Sequence, residues 1–123
     1  MSDEISKLPP HIQERLLRLQ QLQQTLQSVL AQKQQVEMEQ TEIEQTLNEL
    51  QKTSDNTIIY KAVGSIMVKA EKTNLTTELI ERKELLNTRA AVLGKQEERL
   101  RSQLKEVQAK LQEDLTPISP PSP

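Results

Sequence analysis

The sequence predicts a mainly α fold, in which two long helices fold back on each other as an antiparallel coiled coil with one central β-hairpin between them. Three observations predict it. On both flanks the apolar residues return at steps of three and four, sustained over roughly forty residues each. Between the flanks, residues 57–72 (TIIYKAVGSIMVKAEK) are dense in β-branched side chains and hold the sole tyrosine, Tyr60. Finally, the 123 residues are 34% hydrophobic and 1% aromatic, with no Phe or Trp. That leaves too few large side chains for a compact globular core and matches the composition of long helices.

Residues 1–8 are polar apart from Ile5 and Leu8 and are expected to fray. Pro9-Pro10 opens the first helix, because a proline in the opening turn loses no hydrogen bond. The helix is predicted over about 10–52. Ile12, Leu19, Leu26 and Leu47 share one heptad position, and Leu22, Val29, Val36, Ile43 and Leu50 share the other. Lys33 and Gln40 interrupt this seam, while Leu16 and Leu30 lie off it and widen the stripe. The glutamine-rich run 20–35 keeps leucine at helical spacing, so it reads as helix and not as a disordered tract. A helix of this length with a polar back needs a partner.

Thr53, Ser54, Asp55 and Asn56 stop the helix, since short polar side chains compete for backbone hydrogen bonds and favour turns. The hairpin follows over about 57–70. Gly64-Ser65 is a two-residue turn of the II′ kind, with glycine supplying the positive φ. It would pair Val63 with Ile66, Lys61 with Val68 and Tyr60 with Lys69. One face then shows Ile59, Val63, Ile66 and Val68, and the other Ile58, Tyr60, Ala62 and Met67. A lone hairpin is marginal in water, and open apolar edges recruit further strands. Ile58, Ile59, Tyr60, Val63, Gly64, Ile66, Met67 and Val68 are therefore the candidate oligomerisation residues.

The second helix is predicted over about 74–114, with Thr73, Asn74 and Thr76 as cap candidates and Glu78 and Glu81 in its opening turns. Leu79, Leu86, Leu93, Leu100 and Val107 form a seven-residue ladder, joined by Leu104 and Leu111. Glu78/Arg82, Glu97/Arg101 and Glu106/Lys110 are i,i+4 pairs in the better orientation. Gly94 costs about 1 kcal/mol against alanine in mid-helix, and close approach of the partner helix is the expected reason. The arms are of nearly equal length, so each supplies the other's apolar face within one domain spanning 1–115. That antiparallel register brings Arg15 near Asp114 and Lys33 near Glu97. The proline-rich tail, 116–123, is expected to be disordered.

Two helices bury only a thin stripe of each other, and the arm ends have no further cover. Ile5, Leu8, Ile12, Leu16 and Leu19 would gather with Val107, Leu111 and Leu115 in a flexible apolar cluster rimmed by charge. Such a patch marks a binding surface suited to partners with little shape of their own.

The composition also excludes functions. A net charge of −2 and a pI near 5.5 argue against a dedicated nucleic-acid binder. There is no cysteine, hence no disulfide or thiolate metal site, which suits a reducing cytoplasm. Neither a signal peptide nor a membrane span is expected. His11 is the one histidine and sits at a helix start, Gly64 belongs to no phosphate-binding loop, and no nucleophile–base arrangement is visible. The expectation is a cytoplasmic protein that is not an enzyme and uses no cofactor or metal.

The run IIYKAVGSIMVKAEK, followed by LTTELIERKELLNTRAAVLGKQEERLRSQLKEVQAKLQE, resembles the β-type subunit of prefoldin, an archaeal and eukaryotic chaperone family, in its archaeal-like one-hairpin form. The resemblance covers roughly residues 10–115. Its most specific parts are Tyr60-Lys61-Ala62-Val63-Gly64 through Lys69 and the QEER at 96–99. It implies that the hairpin joins an oligomeric β-barrel platform built with prefoldin α-type subunits, as a hetero-hexamer of two α and four β. It further implies an ATP-independent holdase whose coiled-coil tips grip unfolded client proteins and deliver them to a group II chaperonin. Neither nucleic acid nor membrane is an implied partner. The alternative is a structural coiled-coil scaffold without client binding, a parallel homodimer in which residues 53–72 merely interrupt the rod.

Overall fold

The computed structural model describes residues 6–115; Ile5 and the tail 116–123 lie outside the described residues. The elements run α1 (Pro10–Lys52), β1 (Ile59–Val63), β2 (Ile66–Ala70) and α2 (Lys72–Leu115). The fold is the expected one of two long helices with an antiparallel two-stranded hairpin between them.

Both prolines serve the start of α1. The Pro9 carbonyl accepts the first helical bonds, from the Ile12 and Gln13 amides at 3.0 and 3.1 Å, and Pro10 fills the first helical position, where no amide is needed. The Gln13 side-chain amide donates back to the Leu8 carbonyl at 2.7 Å, fastening the entering chain. At the other end the Thr53 hydroxyl donates to the Leu50 carbonyl at 2.7 Å, the side-chain competition that ends the helix.

The start of α2 corrects the expectation. The Leu75 amide donates to the Glu71 carbonyl at 2.9 Å, so Glu71 occupies the cap and the helix begins at Lys72, ahead of the anticipated threonines. Thr76 and Thr77 instead turn their hydroxyls onto carbonyls one turn back, at 2.7 and 3.1 Å.

The chain divides into two compact units, Gln32–Leu93 and Met1–Ala31 with Gly94–Pro123. In Gln32–Leu93, the hairpin unit, the buried residues are Val36, Ile43, Leu50, Leu86 and Leu93, with Leu86 at 2% exposure. Polar side chains reach across between the helices. Arg82 pairs with Glu39 at 2.9 Å, Lys83 pairs with Glu44, and the Gln40 amide donates to Asn87 at 2.9 Å. Taken in order, Gln32–Arg89, Gln40–Asn87, Glu44–Lys83 and Thr53–Lys72 climb one helix while descending the other, so the helices are antiparallel within one chain. A parallel rod merely interrupted at 53–72 is thereby excluded.

In the other unit Ile12, Leu22 and Val29 are buried with Leu104 and Leu111, and Arg15 pairs with Asp114 as expected. Leu19, Leu26, Leu100 and Val107, though on the expected ladders, are only half-buried. Within the hairpin unit the deepest residues of α2 are Leu86 and Leu93; here they are Leu104 and Leu111, the other heptad position. The reason lies in the side chains. Lys83 and Ala90 occupy that second position in the one segment, and leucines fill it in the other. Every buried residue described is aliphatic, and no buried side-chain nitrogen or oxygen among the described residues lacks a partner.

Gly94 also departs from expectation. A β-carbon built there would meet nothing within 4 Å, so no neighbouring helix presses on it and the glycine answers no packing demand.

Candidate interaction sites

The hairpin has the register read from Gly64-Ser65: Val63 faces Ile66, Ala62 faces Met67, Lys61 faces Val68, Tyr60 faces Lys69 and Ile59 faces Ala70. Gly64 has φ +58°, and among the described residues no non-glycine has positive φ. Ser65 therefore keeps negative φ, which selects the II′ turn over I′.

Its two faces differ. Lys61, Val68 and Ala70 turn toward the opening turns of α2, where with Leu75 and Glu78 they border a groove of about 400 Å³ that Val63 and Lys69 also line. Lys61 donates to Glu78 across it at 2.6 Å, holding the sheet against the helix. On the other face Ile58, Tyr60 and Met67 are 60%, 58% and 65% exposed. Val63, Ile66 and Val68 are also exposed, Gly64 occupies the turn, and Ile59 is half-buried. The roots of the hairpin are tied by Lys72, whose amine donates to the Thr53 carbonyl at 2.7 Å and lies 3.5 Å from Asp55.

A two-residue turn makes Val63 and Ile66 a hydrogen-bonded pair, and such pairs alternate along the ladder. The backbone groups of Tyr60 and Ala62 on β1, and of Met67 and Lys69 on β2, consequently point outward along the two open edges.

The residues expected at the arm ends divide into two sets. Ile12 and Leu111 are buried between the helices, so they hold the pair together. Leu8, Leu16, Leu19 and Val107 are half-buried, and Leu115 is 55% exposed. Leu17, at 56% exposure, is an apolar residue of this region that seam-reading missed. It falls outside both heptad positions, and its signal was the leucine doublet it forms with Leu16.

Among the described residues no group of carboxylates and histidines could hold a metal ion, and no helix is long and apolar enough to cross a membrane. What the arrangement offers is surface: an uncovered sheet face with two open edges, and apolar side chains beside a helix seam.

Two paired helices joined by one two-stranded β-hairpin define an antiparallel coiled-coil protein with a central hairpin. The family model described as "Prefoldin subunit" matches residues 13–117. Proteins named prefoldin subunit beta from Archaeoglobus fulgidus and Methanothrix thermoacetophila are 48% and 42% identical. These alignments cover 92% and 93% of this chain and 97% and 95% of theirs. The crystal structure of the prefoldin beta subunit from Thermococcus strain KS-1 superposes with a TM-score of 0.79 at 40% identity, over 90% of this chain and 97% of that one. The chain belongs to the prefoldin subunit family, on its β-type branch. Members of the family are chaperones and assemble as hetero-oligomers.

Proposed function

We propose that this chain is a subunit of an ATP-independent holdase of the cytoplasm. Its hairpin residues Ile58, Ile59, Tyr60, Val63, Gly64, Ile66, Met67 and Val68 dock with the hairpins of α-type subunits, in a hexamer of two α and four β. Unfolded polypeptides are gripped by Leu8, Leu16, Leu17, Leu19, Val107 and Leu115 and passed to a group II chaperonin. Ile12 and Leu111 support that surface from beneath. The observation that carries this reading is the hairpin's uncovered face, where Ile58, Tyr60 and Met67 stand in water. Apolar side chains in that number, backed by unpaired strand edges, are stabilised by other strands.

Holding needs no fixed pocket. Clients that expose apolar segments gain by covering leucines on a surface whose side chains can adapt, at about 25 cal/mol per Å² of apolar area removed from water. Many weak contacts also allow release without nucleotide hydrolysis.

The test mixes the chain with its cognate α-type subunit and dilutes a denatured enzyme into the mixture while light scattering is followed. Suppressed aggregation at stoichiometric excess is the expected result, and undiminished aggregation would overturn the reading.

A further inference from the structure

Lys69 is a cation on the outward edge of β2, on the same face by register as Tyr60 and Met67 and at the border of the groove beside α2. It is exposed, and no carboxylate among the described residues pairs with it. Lys61, the other lysine of the hairpin, is already matched by Glu78 at 2.6 Å. The two lysines therefore stand differently: one is neutralised inside the chain and one is left open.

We propose that Lys69 selects the subunit that docks on β2, and that this partner is a different chain whose edge strand carries an aspartate or glutamate opposite it. This rests on the docking role proposed above for the hairpin and names the chemistry of the strand it accepts. Because the backbone groups of Lys69 point outward, an incoming strand would place one residue directly across from it, with β-carbons about 5 Å apart and on the same face. Opposite charges at that spacing stabilise the pair, and like charges destabilise it. Covering the Lys69 amine without an answering carboxylate would leave a desolvated charge, which costs far more than an exposed one.

A second copy of this chain cannot supply that carboxylate from its hairpin. Residues 57–70 hold two lysines and no aspartate or glutamate, so hairpin-to-hairpin self-pairing adds cation to cation. The apolar face supplies the attraction and Lys69 supplies the discrimination, as charges at interfaces commonly do.

The experiment compares wild type, Lys69→Gln and Lys69→Glu, each titrated with the cognate α-type subunit at low and high salt and followed by native mass spectrometry and sedimentation. Each variant is also run alone. Circular dichroism melts check folding, which should not change because no side chain among the described residues pairs with the Lys69 amine. Lys69→Gln should weaken hetero-assembly about fivefold at low salt, and Lys69→Glu should weaken it more. Wild-type assembly should weaken with salt, and that dependence should shrink in Lys69→Gln. Lys69→Glu alone should also self-associate more strongly than wild type.

Variants that assemble with unchanged affinity and unchanged salt dependence would overturn the role of Lys69 while leaving the hairpin's docking role standing. A wild-type chain that self-assembles through its hairpin as tightly as it binds the α-type subunit would overturn it as well. If wild type fails to bind the α-type subunit at all, the docking reading and this inference fall together.

Discussion

In the hairpin unit Leu86 is 2% exposed, and charged side chains cross between the helices at Glu39–Arg82 and Glu44–Lys83. In the unit built from the chain's outer segments, Leu17 and Leu115 are 56% and 55% exposed, and the ion pairs Glu97–Arg101 and Glu106–Lys110 run along one helix. Arg15–Asp114 does cross there, so both units are antiparallel pairs. They differ in what joins the helices: the hairpin unit adds several crossing polar pairs to its buried seam, while the other has Arg15–Asp114 and leucines at the second heptad position. Both leave apolar side chains in water, Met38 and Leu85 at 60% and 58% in the hairpin unit as well as Leu17 and Leu115 in the other.

The largest expected effect tests the cross-linked side of this comparison. Leu86→Ala empties the most buried site in the hairpin unit and should cost about 3 kcal/mol of unfolding free energy, measured by urea denaturation. A cost under about 1 kcal/mol would mean the seam there can collapse around a void, and the contrast would lose its basis.

Next is Gly94→Ala. An added β-carbon has open space, so helix propensity alone decides, and stability should rise by about 1 kcal/mol. A loss of stability would show that the position has a neighbour after all.

The smallest effect on stability, and the most informative for function, comes from Leu17→Ser with Leu115→Ser. Both side chains are exposed, so each change should move stability by about 0.5 kcal/mol or less. Aggregation suppression should nevertheless fall several-fold with the hetero-oligomer intact by native mass spectrometry. Full holding activity in the double variant would remove these leucines from the client surface.

Much of the fold was legible because it rests on local chemistry. Gly64-Ser65 set the strand register residue by residue, since a two-residue II′ turn admits one pairing. Pro9-Pro10 marked the start of α1 for the same kind of reason. The start of α2 was misplaced because Glu71 accepts the first helical bond with its backbone carbonyl, which no side-chain preference announces. Gly94 was misread because a glycine that relieves crowding and one that fills open space are identical in sequence. Depth of burial was only half legible. The heptad pattern names both seam positions, but whether Leu100 or Leu104 goes deeper depends on what stands across from each. Exposure at the outer ends was not legible residue by residue. Ile12 and Leu111 turned inward, and Leu17 escaped notice by lying off the repeat.

Lys72 gathers the two roots of the hairpin with a single amine, joining positions 19 residues apart at the Thr53 carbonyl. The strands thus hang from a ring closed by that one hydrogen bond. Removing the amine would open the ring and leave every strand pairing in place, so the tether and the sheet can be perturbed one at a time.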